Sequence, residues 1–195
     1  QLYLSILESF PKNQETIKRL KKLRSETIQN NSVDLKQDEI NAVIALYSQG
    51  KIQESLAASK VLLAKYPNES FLHHINGVCY SSLGDLDIAI TQFKRSLEIN
   101  PNFTDTYFNL GNTYKELGQL EAAAYCYEHL LQIESIDAET CNKAGVALKT
   151  IGRLDSAVIC YQQALKINPD YFEVFYNLGI IFNNMGDLDA AENSY

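Results

Sequence analysis

The sequence predicts an all-α fold, an array of helical hairpins stacked side by side, and two observations carry that prediction. All nine glycines fall on two series spaced by 34 residues: Gly77, Gly111, Gly145 and Gly179, and Gly50, Gly84, Gly118, Gly152 and Gly186. Three of the four prolines, Pro67, Pro101 and Pro169, share a third series of the same period, with Ser135 in one slot; Pro11 stands apart from it. Within one period, residues 104–137, Leu110 and Tyr114 share a face of a first helix. Gly118 breaks the chain, and Ala123, Tyr127 and Leu131 line one face of a second. A fixed period of this length marks units that each bury too little alone and are stable only when stacked.

In chain order, residues 1–13 read as the tail of a repeat, with Tyr3, Ile6, Leu7 and Phe10 on one helical face and Pro11 closing it. Residues 14–29 form an amphipathic helix with Ile17, Leu20, Leu23 and Ile28 inward. Lys18, Arg19, Lys21, Lys22 and Arg24 lie on its other face, and Asn30-Asn31-Ser32 marks a break. Residues 1–35 are thus a partial repeat followed by a degenerate or capping helix. Five repeats follow: 36–69, 70–103, 104–137, 138–171 and 172–195, the last stopping within its second helix. The first is the weakest match, with Val43 in place of the mid-helix glycine and Ser55 in place of a packing alanine. Both ends cut through repeats and there is no initiator Met. The expectation is therefore a fragment or processed product whose terminal edges meet missing parts of a longer protein or a second copy.

The spacing has physical reasons. A glycine inside a helix costs about 1 kcal/mol against alanine, so its recurrence implies that something needs the missing side chain. Close approach of the paired helix is the expected cause, with Ala89, Ala123, Ala157 and Ala191 as the matching small residues. The second glycine follows the helix end, where a left-handed residue closes it. Asp85, Asp87, Asp155, Asp187 and Asp189 fall at the start of the next helix, which the helix dipole favours. The prolines punctuate the exits.

With these residues in view, the chain resembles the tetratricopeptide repeat family: a helix carrying Leu-Gly and an aromatic, a glycine turn, a helix carrying Ala then Tyr or Phe, and a closing proline. The resemblance covers about residues 36–195, plus a half-repeat at the start. It implies a right-handed α-solenoid whose first helices line a concave groove, and a non-catalytic protein- or peptide-binding scaffold. An alternative is the N-terminal recognition or oligomerisation arm of a larger glycosyltransferase or sulfotransferase whose catalytic domain is absent here.

The groove stripe predicted on that basis runs through five repeats: Gln37, Ile40, Asn41, Ile44 and Tyr47; Phe71, His74, Ile75, Val78 and Ser81; Asp105, Phe108, Asn109, Asn112 and Lys115; Glu139, Asn142, Lys143, Val146 and Lys149; Glu173, Tyr176, Asn177, Ile180 and Asn183. The peptide-binding candidates among them are Asn41, Tyr47, His74, Phe108, Asn109, Asn112, Lys115, Asn142, Lys143, Lys149, Tyr176, Asn177 and Asn183. An amide donates and accepts at once, so a column of asparagines can hold a peptide backbone whatever its side chains. Asn41, Asn109 and Asn177 precede the Leu-Gly slot in three repeats, which resembles the asparagine ladder of O-linked sugar transferases. Ile75 and Lys143 interrupt it, and asparagine is also simply tolerated on a helix face. Lys115, Lys143, Lys149 and Asn112 come near a chaperone-type carboxylate clamp without matching it.

Composition and motifs bound the rest. A net charge of −7 argues against nucleic acid as a general partner. No run approaches the 18 apolar residues of a membrane span, and no signal peptide is visible. Without the five basic residues of 14–29 the remainder carries −12, that is −7 minus 5, so that stripe is a solvated face or a partner for the acidic repeats. The four cysteines form no Cys-x-x-Cys pair. Cys126 and Cys160 sit on stacked helices about 8–10 Å apart, too far for a disulfide, so they read as reduced, packed residues of a cytoplasmic protein.

No phosphate-binding loop, zinc motif or nucleophile elbow occurs, and no catalytic residue, metal or cofactor is expected. Of the three histidines, His73 and His74 point to different faces and cannot share a metal. His73 aligns with Tyr107 and Phe175, a packing position. Asp85-Leu86-Asp87 and Asp187-Leu188-Asp189 read as helix-start acids, and the sequons at Asn30, Asn68 and Asn102 as chance.

Overall fold

The computed structural model of the chain describes residues 36–134, 136–186 and 191. The partial opening repeat, the basic helix, Ser135 and the Asp187-Leu188-Asp189 acids lie outside them. The described residues are helical throughout, with no strand. Helix α1 covers residues 36–48 and α2 Ile52–Lys65. Then come α3, Ser70–Ser82; α4, Leu86–Ile99; α5, Thr104–Glu116; and α6, Leu120–His129. A 3-10 turn, Leu130–Gln132, leads to α7, Ala138–Thr150; α8, Leu154–Ile167; and α9, Phe172–Met185. Each helix packs chiefly on its chain neighbours, and α3, α5, α7 and α9 also touch in succession. The result is an α-solenoid.

The turns follow from backbone conformation. Gly50, Gly84, Gly118, Gly152 and Gly186 all have φ between 73° and 83°, the left-handed region that glycine enters without a Cβ penalty. The acids behind them sit where the dipole favours them: Glu54, Asp87, Glu121 and Asp155 occupy first turns. Asp85 is instead the residue before its helix, and its side chain makes no capping hydrogen bond. Asp137 does cap: its carboxylate accepts from the Thr140 backbone N–H at 2.8 Å and from the Thr140 hydroxyl at 2.8 Å.

The mid-helix glycines have a different partner from the expected alanines. A Cβ on Gly77 would lie 2.5 Å from the Phe93 ring, one on Gly111 2.6 Å from Tyr127 and one on Gly145 2.6 Å from Tyr161. Each glycine is therefore a notch that seats an aromatic ring from the second helix of its own repeat. Ala89, Ala123 and Ala157 are fully buried one turn earlier, where they let the helices approach. Repeat one shows the exchange in reverse. Val43 fills the glycine position and Ser59 stands where Phe93 stands 34 residues later; both are buried. Volume removed from one helix returns on the other, which close packing requires.

The core runs along the array. Ile40, Val43, Leu56, Leu72 and Cys79 join α1–α3; Phe93, Leu110 and Cys126 join α4–α6; Tyr127, Leu130, Leu148, Tyr161, Val174 and Ile181 continue through α6–α9. In the third repeat Leu130 takes the fully buried place and Leu131 is only partly covered. Cys79, Cys126, Cys141 and Cys160 are unpaired and buried. Burial pushes the Cys126 and Cys160 thiols up to about 12 and Cys141 up to about 11, so they behave as small apolar residues.

Candidate functional site

Helices α5, α7 and α9 jointly line a concave pocket of about 290 Å³, formed by Phe108, Asn112 and Lys115, then Asn142, Lys143, Val146, Ala147 and Thr150, then Glu173. Five of the thirteen predicted binding residues, Phe108, Asn112, Lys115, Asn142 and Lys143, meet there. They meet because successive first helices touch.

Around the pocket the predicted residues divide into those whose polar groups are engaged within the protein and those that are open. Asn142 and Asn177 are 4% and 7% exposed. The Asn177 amide donates to Asn142 Oδ1 at 3.4 Å, and the Asn142 amide donates to the Tyr171 hydroxyl at 3.4 Å. Lys149 Nζ donates to Asn177 Oδ1 at 2.7 Å. This chain of amides joins the fourth repeat to the fifth, a bridging role that spacing alone does not reveal. Lys143 is exposed and paired with Glu139 at 2.6 Å, which raises its pKa.

Asn109 is half-buried, and its side chain makes no hydrogen bond among the described residues; its backbone carbonyl accepts from Thr113. Asn112 accepts the Tyr127 hydroxyl at 2.8 Å, which fixes its oxygen inward and turns its NH2 away. Phe108 is half-buried against the Tyr127 ring, centroids 5.9 Å apart. Asn183 and Tyr176 are exposed. Asn41 is exposed and accepts from Gln37 at 3.1 Å. The Tyr47 hydroxyl lies 3.4 Å from that of Ser82.

His74 is not on open surface. It is 7% exposed, surrounded by Phe71, Phe93 and Phe103 with ring centroids 4.8–6.0 Å away, and its Nδ1 lies 2.8 Å from Thr106 Oγ1. Burial pulls its pKa down to about 4, against a smaller opposing pull from Asp105. The packing expected of His73 belongs to His74. His73 is only partly covered and pairs with Gln92 at 3.0 Å and the Pro67 carbonyl at 3.2 Å. Ile40 and Ile75, also placed in the stripe, are core residues.

A second hollow, of about 600 Å³, was not foreseen. It opens between α4, α5 and α6 and is lined by Lys94, Leu97, Glu98, Tyr107, Leu110, Tyr114, Ala122, Tyr125 and Cys126. The sequence signal was the small pair Ala122 and Cys126 where the repeat before carries Ile88 and Gln92. The charged groups that line the pocket, Lys115, Lys143 and Glu173, come from three helices, and burial raises the pKa of the one thiol in the hollow, Cys126. Among the described residues no group of three or more His, Cys, Asp or Glu converges to hold a metal. No described helix is long and apolar enough to cross a membrane.

Comparison with known proteins gives a family and a fold. Sequence profiles described as TPR repeat match residues 79–118 and 150–186, and one described as tetratricopeptide repeat matches 104–137. No curated protein matches the chain. Among solved structures, MamA is similar at 20% identity over 77% of this chain and 88% of its own, with a TM-score of 0.64. MamA 41-end from Desulfovibrio magneticus RS-1 aligns at 20% identity over 82% and 90%, TM-score 0.63. YrrB, described as a TPR protein with an unusual peptide-binding site, aligns at 20% identity over 87% of each chain, TM-score 0.61. At such identities the likeness is one of fold.

Proposed function

This chain is built of tetratricopeptide repeats, and from that premise we propose that it is a non-catalytic scaffold that captures an extended peptide or protein segment in the trough of its first helices. The observation that carries this reading is the open amide of Asn109, half-buried beside Phe108 with no hydrogen bond of its own among the described residues. An amide so placed can take both a backbone N–H and a backbone C=O of a ligand strand, while Phe108 supplies an apolar contact. Asn112, Lys115, Lys143, Tyr176, Asn41, Tyr47 and Asn183 contact the ligand in this scheme. Asn142, Asn177, Lys149 and His74 hold the walls in place. The peptide-binding site ascribed to YrrB, a protein of the same fold, supports this reading, and the four unpaired thiols suit a cytoplasmic setting.

The test uses the whole chain, immobilised and screened against a displayed library of random heptapeptides, with selected peptides titrated by fluorescence anisotropy. Asn109→Ala is expected to weaken capture by about 2- to 12-fold, the equivalent of about 0.5–1.5 kcal/mol for a net hydrogen bond, with an unchanged melting curve. Peptides that ignore Asn109→Ala and Phe108→Ala but lose binding with Tyr125→Ala would move the site to the hollow between α4, α5 and α6.

A further inference from the structure

We infer that the trough reads a pattern of charge rather than a net charge: one ligand segment places an acidic side chain over Lys115 and Asn112 and a basic side chain over Glu173. This rests on the trough being the binding surface and says what it selects.

The charges around the concave pocket are unequally spent. Lys143 is paired with Glu139, and Lys149 donates to Asn177. Lys115, half-buried in the wall, has no carboxylate within ion-pair distance among the described residues. Three residues before it on the same face of α5, Asn112 has its oxygen occupied by Tyr127 and its NH2 free. Two donors therefore face the cavity at that end with no acceptor supplied by the protein. At the other end Glu173 lines the pocket, exposed and without a cation partner among the described residues. Lys115 and Glu173 do not pair with each other. The rest of the lining is mixed: Phe108, Val146 and Ala147 are apolar, and Asn142, Lys143 and Thr150 are polar.

A third polar group, the Tyr161 hydroxyl, is buried. Tyr161 packs on Gly145 as Tyr127 packs on Gly111, so by the repeat its hydroxyl emerges beside residue 146. There Val146 replaces the acceptor Asn112, and the buried hydroxyl has no partner among the described residues. Glu173 is near enough to add to the upward push that burial gives its pKa.

A purely acidic ligand would meet Glu139 and Glu173, and a purely basic one Lys115 and Lys143. Like charges across an interface repel and so reject partners. Only a segment with its acid and base at matching separation satisfies both ends. Helix dipoles also favour acids at helix starts and lysines at helix ends, so the experiment separates a ligand preference from that intrinsic arrangement.

Blocked peptides Glu-(Ala)n-Lys, with n from about one to five to sample separations at roughly 3.3 Å per residue, are titrated into the isotopically labelled full chain and followed by NMR. One spacing is expected to bind about 5-fold or more tighter than its Glu→Gln and Lys→Gln counterparts, the factor for roughly 1 kcal/mol. Lys115→Gln should erase the preference for Glu while keeping that for Lys, and Glu173→Gln should do the reverse. Equal affinities for charged and Gln-substituted peptides, with shifts still at Phe108 and Asn109, would overturn the charge reading and leave the trough standing. Shifts confined to Tyr107 and Tyr125, or no shifts at any spacing, would overturn both.

Discussion

Tyr127 and Tyr161 occupy the same position in successive repeats, and removing the same atom from each is expected to change stability in opposite directions. Tyr127 donates to Asn112 Oδ1 at 2.8 Å. Tyr127→Phe gives up that bond at a net cost of about 0.5–1.5 kcal/mol. The Tyr161 hydroxyl is buried with no partner among the described residues. Tyr161→Phe removes a desolvation penalty of about 1–3 kcal/mol and keeps the ring that fills the Gly145 notch. Val146→Asn, which copies Asn112 into the next repeat, should supply the missing acceptor and stabilise by about 1 kcal/mol. It should add nothing once Tyr161 is Phe, because the two changes address one hydroxyl. Repeat arrays depart from two-state behaviour, so urea unfolding is paired with amide hydrogen exchange on α7 and α8. Destabilisation by Tyr161→Phe, or additive effects of Val146→Asn and Tyr161→Phe, would refute the claim that the hydroxyl is unsatisfied for want of a residue-146 acceptor.

Other outcomes follow from the same geometry. His74 has a folded pKa of about 4 against an ordinary value near 6.5, so the unfolded chain binds more protons between those pH values. Its contribution is complete above about pH 6.5 and drains away as pH falls toward 4. The loss between pH 7 and pH 5 is about 2 kcal/mol, and a chemical-denaturation pH series should show it shrinking in His74→Gln. Gly111→Ala places a Cβ 2.6 Å from the Tyr127 ring. The overpacking cost of about 1–3 kcal/mol outweighs or offsets the roughly 1 kcal/mol gain in helix propensity, so thermal stability should fall or hold, and a clear rise would contradict the notch. Asp137→Ala removes a helix cap and should cost about 1 kcal/mol at neutral pH. The Thr140 backbone N–H holds the Asp137 carboxyl below its ordinary pKa. That contribution is present above pH 4 and fades as the carboxylate protonates, so wild type and variant should converge in acid.

The period, the helix count per repeat and the left-handed glycines were legible in the sequence because each depends on local backbone chemistry. A glycine at positive φ and a proline at a helix exit act within a few residues, and a 34-residue recurrence exposes them. The notch was half legible: its existence followed from a costly glycine, but the ring that fills it did not. Which side chain reaches across depends on how far two helices are turned toward each other. Periodicity fixes a residue's direction only to the step of about 100° between neighbours. That same uncertainty exchanged His73 for His74, one step apart on α3, and moved Ile40 and Ile75 from the trough into the core. Tertiary structure alone decided which amides bridge repeats and which stay open. Asn109 and Asn177 hold the same slot in the period, yet Asn177 is engaged by Lys149 and Asn142 and Asn109 is not. A repeat prescribes equal positions; the neighbours that meet there differ, and hydrogen bonds form with neighbours.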